Sequence, residues 1–278
     1  MLQRWLTHFL NLFLRPDHLE ALRSWPVLNG SEGMVAAHPT GTRTARHHSR
    51  LFHPLAGLIN FTVMCYSTAL DANAKAIEAR YGRQMLAETR GELPFSKTSA
   101  FARPWWPVIT AEEPNVIGWK QWGLVPHWAA ADPAAFLKKT PTFNAISEEA
   151  YEKRSFKAAM AAGHRCLIPV TAFYEWQHRE VPGRKTPNKV PYEIGLIGEP
   201  LFSLGGIYDG DTYSILTRSA QTLMAQIHNT KKRQPVIIPR AFEGDWLSQK
   251  LTKDDVLRFC NGVEEIDLEA REVVKDSA

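Results

Sequence analysis

Cysteine is scarce in this sequence. The three residues Cys65, Cys166 and Cys260 are odd in number and form no C-x-x-C pair. A disulfide framework and a thiolate zinc site are therefore not suggested, and a reduced, cytoplasmic setting with no metal or other cofactor is expected. Long apolar runs are also lacking. The most apolar stretch, Met1 to Leu14, is interrupted by His8 and Asn11. It is too short to cross a bilayer and no small-residue cleavage site follows it promptly, so neither a membrane span nor a secretory signal is expected. No segment repeats at the spacing of a solenoid or propeller. Net charge is small, +4, and residues 1–63 hold much of it, with six arginines against Asp17, Glu20 and Glu32. The near-neutral remainder could bind nucleic acid only through a local basic groove, not through a global field.

What is present is a 44% hydrophobic content, enough for a packed core. The stretch from Asn29 to His53 has no lasting apolar period. Residues 1–63 are therefore expected to be a disordered or non-native N-terminal extension, and residues 64–278 one catalytic domain. Asp71 can cap a helix through about Tyr81 that Gly82 closes. The proline-broken segment from Pro94 to Pro107 reads as a surface loop carrying Phe101, Trp105 and Trp106, and Asn115 to Val125 as a strand pair or bent strand. Ser147, followed by Glu148 and Glu149, predicts a helix running to Ala162 and stopped by Gly163.

Strand runs follow at 165–168, 172–177, 190–196, 201–208 and 212–217, separated by Gly, Pro, Asn and Asp. Short helices at 219–227 and within 242–260 flank a strand at 235–238. Strands that neighbour one another in sequence predict an α+β class with a mostly antiparallel, barrel-like β core flanked by short helices.

Several residues could carry chemistry, each with a plainer explanation beside it. In Phe173-Tyr174-Glu175-Trp176 the strand period places Phe173 and Glu175 on one face. A carboxyl among aromatics is driven toward protonation and suits a general acid, whereas an edge-strand glutamate facing water has no such role. His228 ends a helical run before a basic turn and could transfer protons or merely cap the helix. Asn144 could orient a sugar oxygen or an amine, or serve a turn. Trp119, Trp122 and Trp128 fall within ten residues. If exposed they would stack bases, and packing explains one or two of them. Lys138, Lys139, Lys231, Lys232 and Arg233 read as phosphate contacts or as a solvated face.

Taken together the segments resemble the SOS-response-associated peptidase (SRAP) family. The resemblance rests on Met64-Cys65, W-G-L-V-P-x-W from Trp122 to Trp128 and F-N-A-x-S-E from Phe143 to Glu148. It extends through R-C-L-I-P from Arg165 to Pro169, F-Y-E-W from Phe173 to Trp176, and I-H-N-T-K-K-R-x-P-V-I from Ile227 to Ile237. It implies an abasic-site processing protein in which Cys65 becomes the N-terminal residue and captures the aldehyde of an abasic site in single-stranded DNA as a thiazolidine. By the same resemblance Glu175 is the acid and base, Asn144 holds the sugar or the amine, and His228 assists imine formation and reversal. Trp122, Trp128, Trp176, Arg165, Lys231, Lys232 and Arg233 are expected to contact DNA. The implied protein is monomeric, cytoplasmic and nucleoid-associated, is not bound to membrane, and has autopeptidase or lyase-like activity.

Two departures stand out. Tyr66 and Ser67 follow the cysteine where the family has Gly and Arg, and Ile146 stands where an Arg follows Asn-Ala. Both remove expected DNA contacts. Two other readings stay open: a cysteine peptidase or amidohydrolase using Cys65 with His228 and Asn144, and a non-catalytic single-strand binding module built on the tryptophans and basic residues.

Overall fold

The computed structural model describes residues 65–87 and 90–274, so the expectation for residues 1–63 lies outside the described residues. The chain opens with β1 (Ser67–Leu70), α1 (Ala74–Tyr81), β2 (Gln84–Met85), β3 (Phe95–Ser99), β4 (Trp105–Thr110) and β5 (Val116–Trp122). A middle stretch follows with α2 (Pro133–Lys139), β6 (Asn144–Ile146) and α3 (Lys157–Ala161). The strand-rich half holds β7 (Arg165–Val170), β8 (Ala172–Arg179), β9 (Asn188–Leu196), β10 (Phe202–Asp209) and β11 (Thr212–Ser219). Last come α4 (Thr222–Ile227), β12 (Arg233–Pro235), β13 (Ile237–Ile238), α5 (Glu243–Trp246), α6 (Lys253–Asn261) and β14 (Leu268–Glu272).

These strands form two sheets. The smaller has the order β14-β9-β8-β1-β3, and the larger runs β12-β11-β10-β7-β4-β5-β2 with β6 and β13 attached to β11 and β10. Most pairings are antiparallel, as short hairpin connections require. A parallel contact of β11 with β5, Thr212 opposite Gln121 and Tyr213 opposite Trp122, joins the two ends of the run β5-β4-β7-β10-β11. Those five strands close into a ring. The α+β, mostly antiparallel and barrel-like core expected from the sequence is the architecture found.

Both faces of these strands are buried: Trp106 and Ile109, on opposite faces of β4, and Ile117 and Trp122, on opposite faces of β5, are all fully buried, as is Tyr213. A Cβ placed on Gly206 would lie 2.5 Å from the Ile168 side chain, 2.8 Å from the Ser214 carbonyl oxygen and 3.0 Å from the Cys166 sulfur. One of these contacts is backbone and cannot swing away. Gly206→Ala is therefore expected to destabilise the fold by about 1–3 kcal/mol, the usual cost of overpacking, as read from a urea midpoint shifted without change of slope.

Three local expectations are corrected. The helix from Ser147 to Ala162 does not form. Residues 144–146 are instead a strand paired in parallel with β11, the Ser147 amide donates to the Thr217 carbonyl, and helix is confined to 157–161. Tertiary pairing outweighs the local capping signature there. The segment 94–107 is not a loop, because it supplies β3 and the start of β4. Trp106 is core, donating its indole N–H to the Pro169 carbonyl at 2.8 Å, and Phe101 alone of the three aromatics is strongly exposed. The first helix is capped by Asn73, whose side chain accepts from the Ala76 amide, and not by Asp71. Gly82 closes it at φ 62°, as expected of a left-handed C-terminal glycine. No described helix is long and apolar enough to cross a membrane.

Candidate active site

β1 lies antiparallel to β8, with Thr68 opposite Phe173 and Ala69 opposite Ala172. This register brings Cys65, just ahead of β1, beside the Glu175 segment. Alternation along β8 turns Phe173 and Glu175 to the interior, where both are buried. Tyr174 faces the other way, into a groove on the outer face of the smaller sheet that Lys97, Glu193 and Arg271 also line.

Glu175 is 1% exposed, and its Oε1 has no hydrogen-bond partner among the described residues. Burial pushes its pKa from 4.5 up to about 8, and the Trp176 backbone offsets this only in part. The carboxyl is thus largely protonated at neutral pH. His228 is also buried, and its Nδ1 lies 3.9 Å from Glu175 Oε1. With the carboxyl neutral, that separation is neither an ion pair nor a hydrogen bond. The Nδ1 atom sits 2.9 Å from the Arg233 carbonyl oxygen. A carbonyl only accepts, so this contact assigns the proton to Nδ1.

Cys65 is 1% exposed, and its thiol points to the Ser67 carbonyl at 3.7 Å. Burial raises the thiol pKa well above its ordinary value, the nearby Glu175 carboxylate raises it further, and the Ser67 and Tyr174 backbones oppose both. Asn144, at the start of β6, donates from Nδ2 to the Cys65 carbonyl at 2.8 Å. Its Oδ1 is buried with no hydrogen-bond partner among the described residues. Two pairs result: Cys65 with Asn144, and Glu175 with His228. The Cys65 thiol lies near the neutral acid, the imidazole lies against that acid, and all three groups are buried, so they can carry proton transfer in a site from which bulk water is largely excluded.

The residues expected to meet DNA divide by exposure. Trp122 is fully buried, donates to the Phe143 carbonyl at 2.9 Å and stacks on Tyr213 at 6.0 Å. Its ring has no open face and it cannot be a base platform. Arg165 is likewise a core residue, its guanidinium donating to the carbonyls of Trp246 at 3.0 Å and Ser248 at 2.6 Å. Both assignments are corrected, because indole and guanidinium groups alike can serve packing when their N–H groups find carbonyls.

Trp128 is 42% exposed, with the Arg154 guanidinium 4.2 Å above its ring. Trp176 is half-buried, with the Lys97 ammonium 4.8 Å over it. Lys231 and Lys232 are exposed. Arg233 is committed to Glu148 through two bonds of 2.7 Å, and to the Thr217 carbonyl at 2.7 Å. That fork holds the Glu148 carboxyl down at about 2, so Arg233 has little charge left for a phosphate.

Phe101 is the residue whose place in the site went unrecognised in the sequence. It is 65% exposed, yet its ring lies 5.0 Å from Tyr66 and 5.2 Å from Phe143, the neighbours of Cys65 and Asn144. The only signal for it was the aromatic run at 101–106. Of the two departures, Ser67 is buried in β1 and Ile146 is half-buried in β6. Among the described residues no group of three or more His, Cys, Asp or Glu side chains converges to hold a metal ion.

Comparison with known proteins places the chain among relatives. The abasic site processing protein YoqW of Bacillus subtilis (strain 168) is 32% identical over 160 residues, covering 54% of this chain and 66% of YoqW. The abasic site processing protein HMCES of Pongo abelii is 27% identical over 188 residues, covering 56% of this chain and 52% of HMCES. The chain therefore spans less than two thirds of each relative's length. A crystal structure of a protein from Bacteroides thetaiotaomicron superposes with a TM-score of 0.65 at 30% identity, over 76% of this chain and 93% of that one. Residues 64–277 match the model of the family described as SOS response associated peptidase (SRAP), and the chain belongs to that family.

Proposed function

We propose that this protein processes abasic sites in single-stranded DNA by capturing them covalently on Cys65. The observation that carries the reading is that the Asn144 amide holds the Cys65 carbonyl while the Cys65 thiol lies near the buried, largely neutral Glu175, which the His228 imidazole approaches at 3.9 Å. The names of the relatives, abasic site processing proteins, supply the substrate class. In the reaction the α-amine of an N-terminal Cys65 adds to the aldehyde carbon of the opened sugar, forming a C–N bond. The Glu175 acid gives a proton to the departing hydroxyl, so that water leaves and an imine remains. The Cys65 sulfur then adds to the imine carbon while the nitrogen takes up a proton, which closes a five-membered ring. One water is lost overall, and both nucleophiles belong to one residue, so the second step is intramolecular.

Trp128 and the protruding Phe101 would stack flanking bases, and Lys231 and Lys232 would meet phosphates. Trp176, by contrast, shares the outer face of β8 with Tyr174, where it packs against Ala69, Ala172 and Tyr174, turned away from Glu175. A thiol hydrolase would need the opposite electrostatics, because a Cys–His pair works through a lowered thiol pKa and the Cys65 thiol is raised. The thiazolidine route uses the same raised thiol, but against an imine carbon already bonded to its own residue, which asks less of it. The test is Cys65→Ala, which is expected to abolish denaturant-resistant adducts with abasic single-stranded DNA. Cys166→Ala and Cys260→Ala are expected to retain them, since both are internal residues whose nitrogen is locked in a peptide bond and cannot close the ring. Equal loss in all three variants would overturn the assignment.

A further inference from the structure

Glu175 and His228 come from parts of the chain that do not pair as strands. Glu175 is on β8, and His228 follows α4, which leads into β12. Their 3.9 Å separation has to be set by something. Beyond Phe173, β8 runs past its partner β1, whose register ends opposite that residue, and its far end is sutured to the His228 turn. The Asn229 amide makes the suture. Its Nδ2 donates to the His178 carbonyl at 2.8 Å and its Oδ1 accepts from the His178 amide N–H at 3.0 Å. Gln177 adds a third bond, donating from Nε2 to the Gln226 carbonyl at 3.0 Å. Asn229 thus presents one donor and one acceptor to one residue, as a neighbouring strand would.

From this geometry we infer that Asn229 is a positioning residue, which holds the His228 imidazole against Glu175 by pairing with the His178 backbone. Among the described residues its side chain bonds to the His178 backbone and not to Glu175 or the Cys65 thiol, and it acts through the residue before it. The inference rests on the abasic-site reading for its kinetic consequence but not for its geometry. A displacement of the imidazole by a fraction of an ångström is enough to slow a positioned proton transfer.

Asn229→Ala, in the form beginning at Cys65, is expected to lower the maximal rate of adduct formation by about 10- to 100-fold, with the half-saturating DNA concentration unchanged. Asn229→Asp keeps the acceptor for the His178 N–H and loses the donor, and is expected to fall between. The decisive comparison is made in a His228→Ala background, where Asn229→Ala is expected to cost nothing further. A purely structural role would cost the same in both backgrounds, and that result, or a wild-type rate, overturns the inference. A second readout needs no DNA: the His228 imidazole nitrogen resonances of the full chain are expected to move in Asn229→Ala. If wild-type protein forms no adduct at all, the abasic-site reading fails while these resonances still decide the suture, and their remaining unchanged would refute it.

Discussion

Glu175→Gln is expected to slow adduct formation by about 100- to 10,000-fold, the range typical of a general acid or base, while leaving the fold intact. The amide is nearly the same size as the carboxyl and fits the same buried site, but it cannot give up a proton. The pH profile of the wild-type rate should reflect the same group. Glu175 titrates at about 8, so its acid form is available at neutral pH and is lost through mild alkali, and the limb assigned to it should vanish in the variant. The substitution should move stability the other way from activity at alkaline pH. The folded-state pKa stands at about 8 against an ordinary 4.5, so between these values the folded chain holds a proton that the unfolded chain has released. Stability contributed by that protonated form is complete below about 4.5, declines as pH rises and is gone above about 8. Glu175→Gln has no such slope, and should be more stable than wild type at pH 8 with the difference closing toward acid. Denaturation at several pH values alongside single-turnover crosslinking checks both halves. A variant that folds normally and crosslinks at the wild-type rate removes Glu175 from the mechanism.

This opposition of stability and activity was readable in part from four letters. Alternation in Phe173-Tyr174-Glu175-Trp176 told that Glu175 shares a face with Phe173, but left open whether that face is dry or turned to water. The strands β7 to β11 were legible for a similar reason, since each apolar run is bounded by turn residues that dictate its ends. What could not be read were competitions decided by partners far away in sequence. Ser147-Glu148-Glu149 carries a helix start in every local respect, but Glu148 is bound by Arg233, 85 residues on, and the Ser147 amide by Thr217. Trp122 and Trp128 look alike in one short motif, and only ring closure by β5 and β11 buries the first and leaves the second in solvent. Arg165 was taken as a basic contact because charge is visible in a sequence, and the carbonyls that absorb it are not. Asn229 was passed over for the same reason, its partner being His178, 51 residues away. The choice of Cys65, Asn144, Glu175 and His228 as one constellation came from resemblance to a family. Spacing alone left each with an ordinary alternative.

The chain intact from Met1 is expected to form no thiazolidine, and a chain begun at Met64 is expected to form it readily. In the first, the nitrogen of residue 65 belongs to a peptide bond, and its lone pair is delocalised into the carbonyl, so it cannot add to an aldehyde. In the second, removal of the initiator methionine leaves an amine on the carbon adjacent to the one that bears the thiol. The same residue then supplies both bonds of the ring, nitrogen from its α-amine and sulfur from its side chain, an arrangement whose effective concentration no external thiol could match. The Asn144 bond to the Cys65 carbonyl does not depend on what precedes residue 65, so it can hold that residue in either chain. The comparison of the two forms is therefore a test of the amine. The measurement is to incubate each form with abasic single-stranded DNA, resolve the products under denaturing conditions and read the mature N-terminus by mass spectrometry. A leader that the cell removes later gives the same result once cleavage has exposed Cys65, because the chemistry depends on the amine and not on how it was freed. Efficient crosslinking by protein proven intact from Met1 would rule out the thiazolidine, and the thiol of an internal Cys65 would then have to do the work despite its raised pKa.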